Sequence, residues 1–354
     1  MAKVLAAMSG GVDSSVAALL LRQQGHECIG CTMKLYDNQQ AGPPAGRSCC
    51  TLEDVEDARS VAYRLGMPYY VFNFKDAFAE KVMDKFVESY RAGITPNPCI
   101  DCNRYMKFEK LMERARILGC QYIATGHYAR IEKQDGRYLL KKGLDAGKDQ
   151  SYMLYTMTQE QLAHTLFPLG GLRKEQVRQL AEVEGFVNAA KPDSQDICFV
   201  PDGDYAAMIE RYTGLPSPAG DFIDGSGAVL GRHKGIIRYT VGQRRGLGIS
   251  AREPLYVCSL SAERNTVTLG PREELFRSEA DAGTFHWIAG QAPAEPIRCR
   301  VKLRYHQPEQ EATVYPQGAD AVHIRFRQPQ RAVTPGQAAV LYDGDTVLGG
   351  GTVL

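Results

Sequence analysis

The chain has 354 residues, 44% of them hydrophobic and 23% charged, which is the composition of a globular protein with about two or three domains. The formal net charge of +1 excludes a uniformly basic nucleic-acid coat, although it allows a local basic face. There is no apolar run of membrane-spanning length, and the chain enters its first strand without a signal peptide. The ten cysteines are then expected to be thiols in a reducing compartment, which predicts a cytoplasmic protein with no membrane partner.

The first predicted element is an apolar strand, Val4 to Met8, followed by SGGVDSS over residues 9–15 and an amphipathic helix. Such a unit points backbone N–H groups and a helix N-terminus at an anion, and Gly10 and Gly11 allow close approach. The lysine of a Walker loop is absent. A plain glycine-rich turn is the alternative, but the spelling resembles the pyrophosphatase loop, which cleaves ATP between its α and β phosphates.

Strands and helices alternate up to about residue 125. Predicted strands cover residues 27–35, 68–74 and 121–126, and predicted helices cover residues 52–65, 77–90 and 106–118. The pattern predicts an α/β domain with a doubly wound, mostly parallel sheet. Its ligand site is expected beyond the carboxyl ends of the strands, where residues 9–15 fall. A hairpin over residues 128–142, turning at Asp135-Gly136, and a helix over residues 172–184 follow.

From Asp204 onward the runs are short, β-branched and bounded by glycine and proline. Strand candidates lie at residues 228–231, 235–239, 255–260, 266–270, 285–288, 297–305, 321–326 and 338–342. We place domain boundaries near 203 and 280. The predicted units are an α/β domain over 1–203, a small β-rich bridging domain over 204–280 and a barrel-like domain over 281–354.

Most of the cysteines are predicted to be packing residues. Cys28 and Cys31 spell C-x-x-C, but positions three apart on a strand face opposite sides of the sheet. Cys120 and Cys258 lie in apolar surroundings, and Cys299 alternates with arginines on a strand. The pair at residues 49–50 precedes a predicted helix and weakly favours a structural role, and a loop is predicted over residues 39–46.

Two other segments favour cysteine chemistry. Cys99 and Cys102 lie in TPNPCIDCN, a proline-stiffened loop before a helix, where a thiol is more readily ionised. A sulfur-handling loop is the preferred interpretation, and a zinc half-site or a redox pair stays open. Cys198 stands beside an acidic turn, and its residues alone leave a buried and a reactive thiol equally open.

The barrel-like segment carries a basic stripe. Arg298, Arg300, Lys302 and Arg304 share one strand face by alternation, with Arg325 and Arg327 as additional members. Such a stripe suits phosphate contacts, and a solvated charged face is the alternative. Tyr305 and His306 are candidates for stacking on RNA. Arg244 and Arg245 lie in a glycine-rich loop and suit phosphate contact, and the single tryptophan, Trp287, is expected to pack.

Six segments occur in order along the chain: SGGVDSS, TPNPCIDCN with the following MKF, ATGHYAR at 124–130, KDQSY at 148–152, SQDICF at 194–199 and TVGQRRGLG at 240–248. Together they resemble the bacterial tRNA-specific 2-thiouridylases of the pyrophosphatase-loop superfamily over essentially the whole chain. The resemblance implies an adenine-nucleotide-hydrolase-like fold and ATP-dependent 2-thiolation of the wobble uridine in tRNAs for Lys, Glu and Gln.

The resemblance also implies the chemistry. ATP with Mg²⁺ would adenylate the C2 oxygen, and a persulfide would then supply sulfur. Cys102 would be the nucleophile and Cys198 the persulfide carrier, with a transient Cys102–Cys198 disulfide. A cysteine desulfurase or a sulfur-relay protein is the expected donor.

Binding residues follow from the same resemblance. Those expected to hold ATP are Ala7, Met8, Ser9, Gly10, Gly11, Val12, Asp13, Ser14, Met33 and Gly126. Those expected at the target base are Asn97, Pro98 and Cys99, since the base must leave its stack to be reached. Those expected to contact tRNA elsewhere are His127, Lys148, Asp149, Gln150, Arg304, Tyr305 and Gln337.

One position departs from the family pattern, since some members carry Asp where this chain has Cys99. Cys99 would act as an auxiliary thiol, or Cys99, Cys102 and Cys198 would ligate a [4Fe–4S] cluster. Another adenylating enzyme of this loop class, such as a 4-thiouridine synthase or an amidotransferase-type synthetase, is the nearest rival. A non-catalytic RNA-binding or redox module is the second rival, and AMP release stimulated by tRNA would eliminate it.

Overall fold

The computed structural model describes residues 1–37, 52–193 and 197–354. The loop predicted over residues 39–46, the cysteines at positions 49 and 50, and residues 194–196 lie outside these ranges. Within them, no helix has the length and apolar composition needed to cross a membrane.

The amino-terminal part is built on a five-stranded parallel sheet with strand order β3-β2-β1-β4-β7. Successive side chains of the central strand pack on opposite faces, Val4 and Ala6 on one and Leu5 on the other, so both faces are covered. This confirms the doubly wound α/β prediction. The strands are β1 (Lys3–Ala7), β2 (Glu27–Lys34), β3 (Tyr69–Asn73), β4 (Tyr122–Ala124) and β7 (Thr165–Leu166).

Helices lie on both faces of this sheet, and two of them contain π-helical stretches. The helices are α1 (Val12–Gln23), α2 (Leu52–Arg64), α3 (Lys75–Phe78, Ala79–Met83 and Asp84–Arg91 in succession), α4 (Pro98–Asp101, Cys102–Lys110 and Leu111–Ile117 in succession), α5 (Gln159–Ala163) and α6 (Lys174–Val183). The π stretches are Ala79–Met83 and Cys102–Lys110.

Helix α4 begins earlier than predicted. Asn97 is its N-cap, accepting a hydrogen bond from the backbone N–H of Cys99 at 3.2 Å, and Pro98 occupies the first helical position. Both residues are standard helix-start signals. The prediction that Cys99 and Cys102 lie in a loop before a helix is therefore wrong, because both belong to the first turns of α4.

The middle part is a four-stranded sheet of order β10-β11-β8-β9, preceded by helix α7 (Tyr205–Thr213). The helix was not predicted, although Asp204 caps it and Gly214 ends it with φ 68°. The strand predicted at residues 235–239 is wrong, since Ile236–Arg238 form one 3₁₀ turn after Gly235 at φ 118°. The strands are β8 (Gly220–Ile223), β9 (Val229–His233), β10 (Tyr256–Ser261) and β11 (Thr266–Gly270).

The carboxyl-terminal part is an antiparallel sheet of order β12-β15-β14-β13-β16-β17 that closes through pairing of β12 with β17. This confirms the barrel. Its interior is filled by apolar side chains such as Trp287 and Val301, so Trp287 packs as expected. The strands are β12 (Phe276–Trp287), β13 (Ile297–Lys302), β14 (Gln310–Pro316), β15 (Val322–Arg331), β16 (Ala338–Asp343) and β17 (Thr346–Val353).

The predicted hairpin connects the first and last parts of the chain. It consists of β5 (Ala129–Gln134) and β6 (Arg137–Lys142), and its turn residues Asp135 and Gly136 have φ 50° and 78°. Strand β6 joins the edge of the barrel sheet, where Lys141 pairs with Thr346. The hairpin thereby fixes the barrel against the α/β domain.

Candidate active site

The loop after β1 is preorganised by its own hydroxyl groups. Ser14 Oγ donates to the carbonyl of Gly11 at 2.9 Å and accepts from the backbone N–H of Ser9 at 3.1 Å. Ser15 Oγ donates to the same carbonyl at 3.1 Å. The loop leads directly into α1, whose N-cap, Gly11, carries no side-chain cap. The first N–H groups of the helix are thus available to an anion such as the phosphates of ATP.

Two glycines allow the surrounding backbone to close around this loop. Gly10 has φ +78°, and a Cβ there would lie 2.4 Å from the carbonyl oxygen of Asp54. Gly126 follows β4, and a Cβ there would lie 2.8 Å from the backbone nitrogen of Ser14. The Asn188 side-chain amide donates to the carbonyl of Gly10 at 2.8 Å. The structure thus brings Gly126 onto the loop formed by residues 9–14.

A partly buried ion network lies beside the loop, and no local sequence pattern predicts it. Lys174 Nζ contacts Asp13 Oδ1 and Asp193 Oδ1, each at 2.7 Å. Asp193 also accepts from Lys148 Nζ at 2.7 Å and from Arg178 Nη2 at 2.9 Å. Burial by itself raises the pKa of Asp193, but hydrogen bonds and charge from Lys148 and Lys174 outweigh it and hold that pKa below its ordinary value.

Lys148, Asp149 and Gln150, all predicted tRNA contacts, make intramolecular bonds. Lys148 belongs to the network just described. The Asp149 carboxylate accepts from the backbone N–H of Gly143 at 3.0 Å and from Ser151 Oγ at 2.9 Å. Gln150 Oε1 accepts from the backbone N–H of Tyr128 at 3.0 Å. This segment therefore fixes the start of the hairpin next to the loop at residues 9–14.

Cys102 and Cys198 border the same hydrophobic cluster. Both side chains are partly buried against a core that includes Phe78, Phe86 and Phe199, and the predicted adenosine contact Met33 borders it as well. Tyr36 donates its hydroxyl hydrogen to the backbone carbonyl of Cys198 at 2.6 Å, which fixes that segment. The fold thus brings two sequence-distant thiols to one hydrophobic cluster.

Cys99 has a different environment. Its side chain is exposed, and it lies near the Tyr305 hydroxyl. Burial raises the pKa of Tyr305 to about 12, with smaller contributions from Asp149 and Cys99. Among the described residues, no group of three or more His, Cys, Asp or Glu side chains is arranged to hold a metal ion. The [4Fe–4S] alternative at Cys99, Cys102 and Cys198 therefore has no structural support.

The barrel holds the segment in front of Cys99. Gln337 Nε2 donates to the carbonyl of Thr95 at 2.9 Å, and the backbone N–H of Thr95 donates to Pro335 at 3.0 Å. A Cβ at Gly336 would lie 2.2 Å from a methyl group of Ile94, so the two segments are in close contact. Gln337, a predicted tRNA contact, thus holds the backbone segment that leads into Asn97 and Pro98.

Arg304 and Lys302 do not continue the predicted basic stripe. Strand β13 ends at Lys302, whose Nζ lies over the rings of Tyr152 and Tyr305 at 5.8 and 5.5 Å. The Arg304 guanidinium turns inward and donates to the carbonyl of Val241 at 3.1 Å and to Thr334 Oγ1. Burial lowers the pKa of both side chains.

The remaining stripe is confirmed as an outward face. Arg298 and Arg300 are exposed and alternate with Ile297, Cys299 and Val301, which pack inward. Arg325 pairs with Glu279 at 3.0 Å and Arg327 with Glu311 at 2.6 Å. Arg244 and Arg245 are exposed on their loop.

Cys28, Cys31, Cys120 and Cys299 pack in hydrophobic clusters as predicted, whereas Cys258 is only partly buried and lies beside Glu274. Cys28 and Cys31 lie on opposite faces of the sheet, in different hydrophobic clusters, and burial raises both pKa values, that of Cys28 to about 11. Burial also raises the pKa of Cys120, of Cys258 to about 11 and of Cys299 to about 12. Such thiols are mostly protonated at neutral pH and are poor nucleophiles.

Three family models match successive parts of the chain. The tRNA methyl transferase HUP domain matches residues 2–202, its PRC-barrel domain matches residues 207–271, and an aminomethyltransferase β-barrel domain matches residues 277–353. The first of these covers more than half of the chain and contains the nucleotide-type loop. The protein is therefore a HUP-domain protein of the tRNA methyl transferase family described by that model.

Curated relatives narrow the assignment. The tRNA-specific 2-thiouridylase MnmA of Symbiobacterium thermophilum is 52% identical, covering 99% of this chain and 92% of the relative. Proteins of the same name from Clostridioides difficile and Acetivibrio thermocellus are 49% and 51% identical, covering 99% of this chain and 98% and 99% of theirs. The chain belongs to the tRNA-specific 2-thiouridylase family.

Proposed function

We propose that this protein is an adenylating tRNA-uridine 2-sulfurtransferase that thiolates the wobble uridine of tRNAs for Lys, Glu and Gln. The observation that carries the proposal is that Cys102 and Cys198 both border one hydrophobic cluster, in a chain that also carries a preorganised phosphate-type loop. An adenylating enzyme without sulfur chemistry needs the loop but has no use for both thiols. The family membership favours the same activity over the rival 4-thiouridine synthase and amidotransferase-type synthetase.

In the first step the uridine C2 oxygen attacks the α phosphorus of ATP. The new O–P bond forms as the bond to the bridging oxygen breaks, and pyrophosphate leaves with that electron pair. The backbone N–H groups of residues 9–14 and the N-terminus of α1 would hold the phosphates, with Mg²⁺ shared by the phosphate oxygens. Met33 and Gly126 would border the adenosine.

In the second step the terminal sulfur of a Cys198 persulfide attacks C2, and AMP leaves with the C–O electron pair. The Cys102 thiolate then attacks Cys198 Sγ, which breaks the S–S bond and leaves sulfur on C2. The product is a Cys102–Cys198 disulfide, which a dithiol reductant returns to two thiols. Cys99 is exposed at the same helix start and would contact the target base together with Asn97 and Pro98.

A persulfide donor must recharge Cys198 in each cycle. A cysteine desulfurase, acting directly or through a sulfur-relay protein, supplies that chemistry. The cytoplasm is the proposed location because tRNA is available there and thiols stay reduced.

The test is to incubate the full chain with ATP, Mg²⁺, a persulfide donor and unmodified tRNA, and to analyse nucleosides by mass spectrometry. We expect 2-thiouridine at the wobble position with the wild type and none above background with Cys102→Ser or Cys198→Ser. Cys258→Ser is the matched control, since Cys258 is also partly buried but lies in the middle sheet. It should retain wild-type activity.

Absence of 2-thiouridine with the wild-type chain would contradict the proposed function as a whole. Wild-type activity of Cys198→Ser with the persulfide donor would contradict only its role as carrier. AMP release that does not depend on tRNA would favour one of the rival activities.

A further inference from the structure

Lys107 places an ammonium group at the candidate site. Within the described part of the chain, its only polar contact is with a neutral side chain, that of His127. Lys107 lies on α4, in the same π-helical stretch as Cys102, and it is half-buried. Its Nζ lies 3.2 Å from His127 Nε2, and no carboxylate within the described ranges forms an ion pair with it. A half-buried cation that lacks a counter-charge is available to a bound anion.

The neighbouring cations at the site differ in this respect. Lys174 and Lys148 contact Asp193, and Lys191 contacts Asp54 at 2.7 Å and Asp57 at 2.8 Å. Each of these lysines is therefore neutralised within the protein. The charge of Lys107 is not, so an incoming anion need not displace a carboxylate in order to bind it.

His127 holds this lysine through a fixed tautomer. The ammonium of Lys107 can only donate, so His127 Nε2 must accept, and Nδ1 then carries the hydrogen and donates to Thr125 Oγ1 at 2.7 Å. Burial, and then the charge of Lys107, lower the pKa of His127, which keeps the ring neutral. The ring is also in contact with Phe108 and Phe167, at centroid distances of 6.0 and 5.8 Å. The ring is therefore a rigid acceptor for Lys107.

The His127–Lys107 pair lies next to the phosphate-type loop. Thr125, Gly126 and His127 follow β4 at the carboxyl edge of the sheet, and Gly126 lies directly against the backbone of Asp13 and Ser14. The same short segment that touches the loop thus holds Lys107. Residues 125–127 therefore link the loop that would bind the phosphates of ATP to Lys107, on the helix that carries Cys102.

We propose that Lys107 binds the α-phosphate, the one phosphate that ATP and the adenylated uridine share, and that His127 is its positioning residue. This rests on the proposed function. In adenylation, the charge on the α-phosphoryl oxygens is rearranged as the O–P bond forms and pyrophosphate leaves, and Lys107 stabilises it. In sulfur transfer, the C–O bond breaks and Lys107 stabilises the AMP phosphate that departs.

The experiment measures single-turnover pyrophosphate release from ATP by the full chain with saturating tRNA. For Lys107→Met we expect a loss of roughly 100-fold or more in rate, the size seen when one donor to a developing negative charge is removed. Lys107→Arg keeps the charge and should restore part of the rate. Lys110→Met is the matched control, because Lys110 lies on the same helix but pairs with the exposed Glu113 at 3.1 Å. It should stay within about twofold of wild type.

His127 is tested by the difference between two variants. His127→Gln retains an oxygen that can accept from Lys107, and His127→Leu retains only bulk. We expect His127→Gln to release pyrophosphate faster than His127→Leu, and the double variant Lys107→Met with His127→Leu to be no slower than Lys107→Met alone. A purely structural role for His127 would give additive losses instead.

The outcomes separate this proposal from the previous one. If the wild type releases no pyrophosphate with any tRNA, the proposed function itself is contradicted. If the wild type is active and Lys107→Met matches it, only the role of Lys107 is contradicted. A loss confined to tRNA affinity, with an unchanged rate at saturation, would also overturn the role and assign Lys107 to RNA binding.

Discussion

The α/β domain and the barrel both carry many charges, but they place them differently. Beside the loop at residues 9–14, the charges of the ion network are partly or largely buried and paired, as shown by the Lys174 side chain, which is 11% exposed and contacts two carboxylates. On the barrel, charges cover the outer strand face, as shown by Arg327, which is 76% exposed.

The difference predicts two kinds of response to mutation. Buried, directional contacts cannot be replaced by water, so changes around the loop should reduce folding stability and chemistry steeply. Exposed charges act through a screened field, so changes on the barrel should reduce tRNA affinity in a salt-dependent way and leave chemistry intact.

The largest effect is expected from Gly10→Ala. The substitution places a Cβ 2.4 Å from a backbone carbonyl oxygen at a residue with φ +78°, so the loop or helix α2 must move. We expect loss of tRNA-dependent pyrophosphate release and a lower Tm, with a destabilisation of about 2 kcal/mol or more. Release is measured with labelled ATP, and Tm by circular dichroism.

The neighbouring glycine provides the control. A Cβ at Gly11 would meet only Ser9 Oγ, at 3.4 Å, and its φ of −87° is accessible to alanine. Gly11→Ala should therefore leave Tm nearly unchanged. Equal Tm losses in the two variants would show that the close packing of Gly10 on Asp54 is not what constrains the loop.

The loop could be predicted from sequence because its determinants are local. A strand, a pair of glycines and a helix follow one another within residues 3–23, and the Asp135-Gly136 turn is equally local. The start of α4 was also readable, since Asn97 and Pro98 are adjacent capping signals. The interpretation as a loop gave the prolines too much weight as breakers and too little as a first helical residue.

The ion network could not be predicted because its members are distant in sequence. Asp13, Lys174 and Asp193 meet only after the sheet and α6 are assembled. The same reason applies to Arg304. The alternation rule holds only as far as β13 extends, to Lys302, and the inward turn of Arg304 depends on Val241 and Thr334. Nonlocal contacts of this kind leave no periodic signal.

The second prediction concerns that network. Lys174→Met leaves the carboxylates of Asp13 and Asp193 without their shared partner, while Asp193 keeps Lys148 and Arg178, and we expect a destabilisation of about 1 to 2 kcal/mol. Lys3→Met is the control, because Lys3 pairs with the exposed Glu27 at 3.8 Å and should cost less than about 0.5 kcal/mol. Urea unfolding at pH 7 measures both. Losses of equal size would remove the contrast between buried and exposed charge.

The wild type and Lys174→Met should differ less in folding stability at low pH. Because the pKa of Asp193 is lower in the folded protein than in the unfolded chain, its contribution is present above the unfolded value of about 3.9 and is lost as pH falls below it. The stability difference between wild type and Lys174→Met should therefore shrink below about pH 4. A difference that grows on acidification would contradict the ion pairing.

The smallest effect is expected on the barrel face. Arg298 and Arg300 are exposed on β13 and, among the described residues, belong to no ion pair, so their charge is available to phosphate. Replacing both with Gln should weaken tRNA binding about tenfold at low salt and reduce the salt slope by up to about 0.9 per lost contact. The rate of pyrophosphate release at saturating tRNA should stay unchanged. Arg232 and Arg264 on the middle domain, both replaced with Gln, remove the same charge from another surface. If that control loses as much affinity, net charge rather than the β13 face attracts tRNA. If only the β13 variant loses affinity, the barrel binds tRNA through its outer strand face, whereas the chemistry depends on the partly buried groups of the α/β domain.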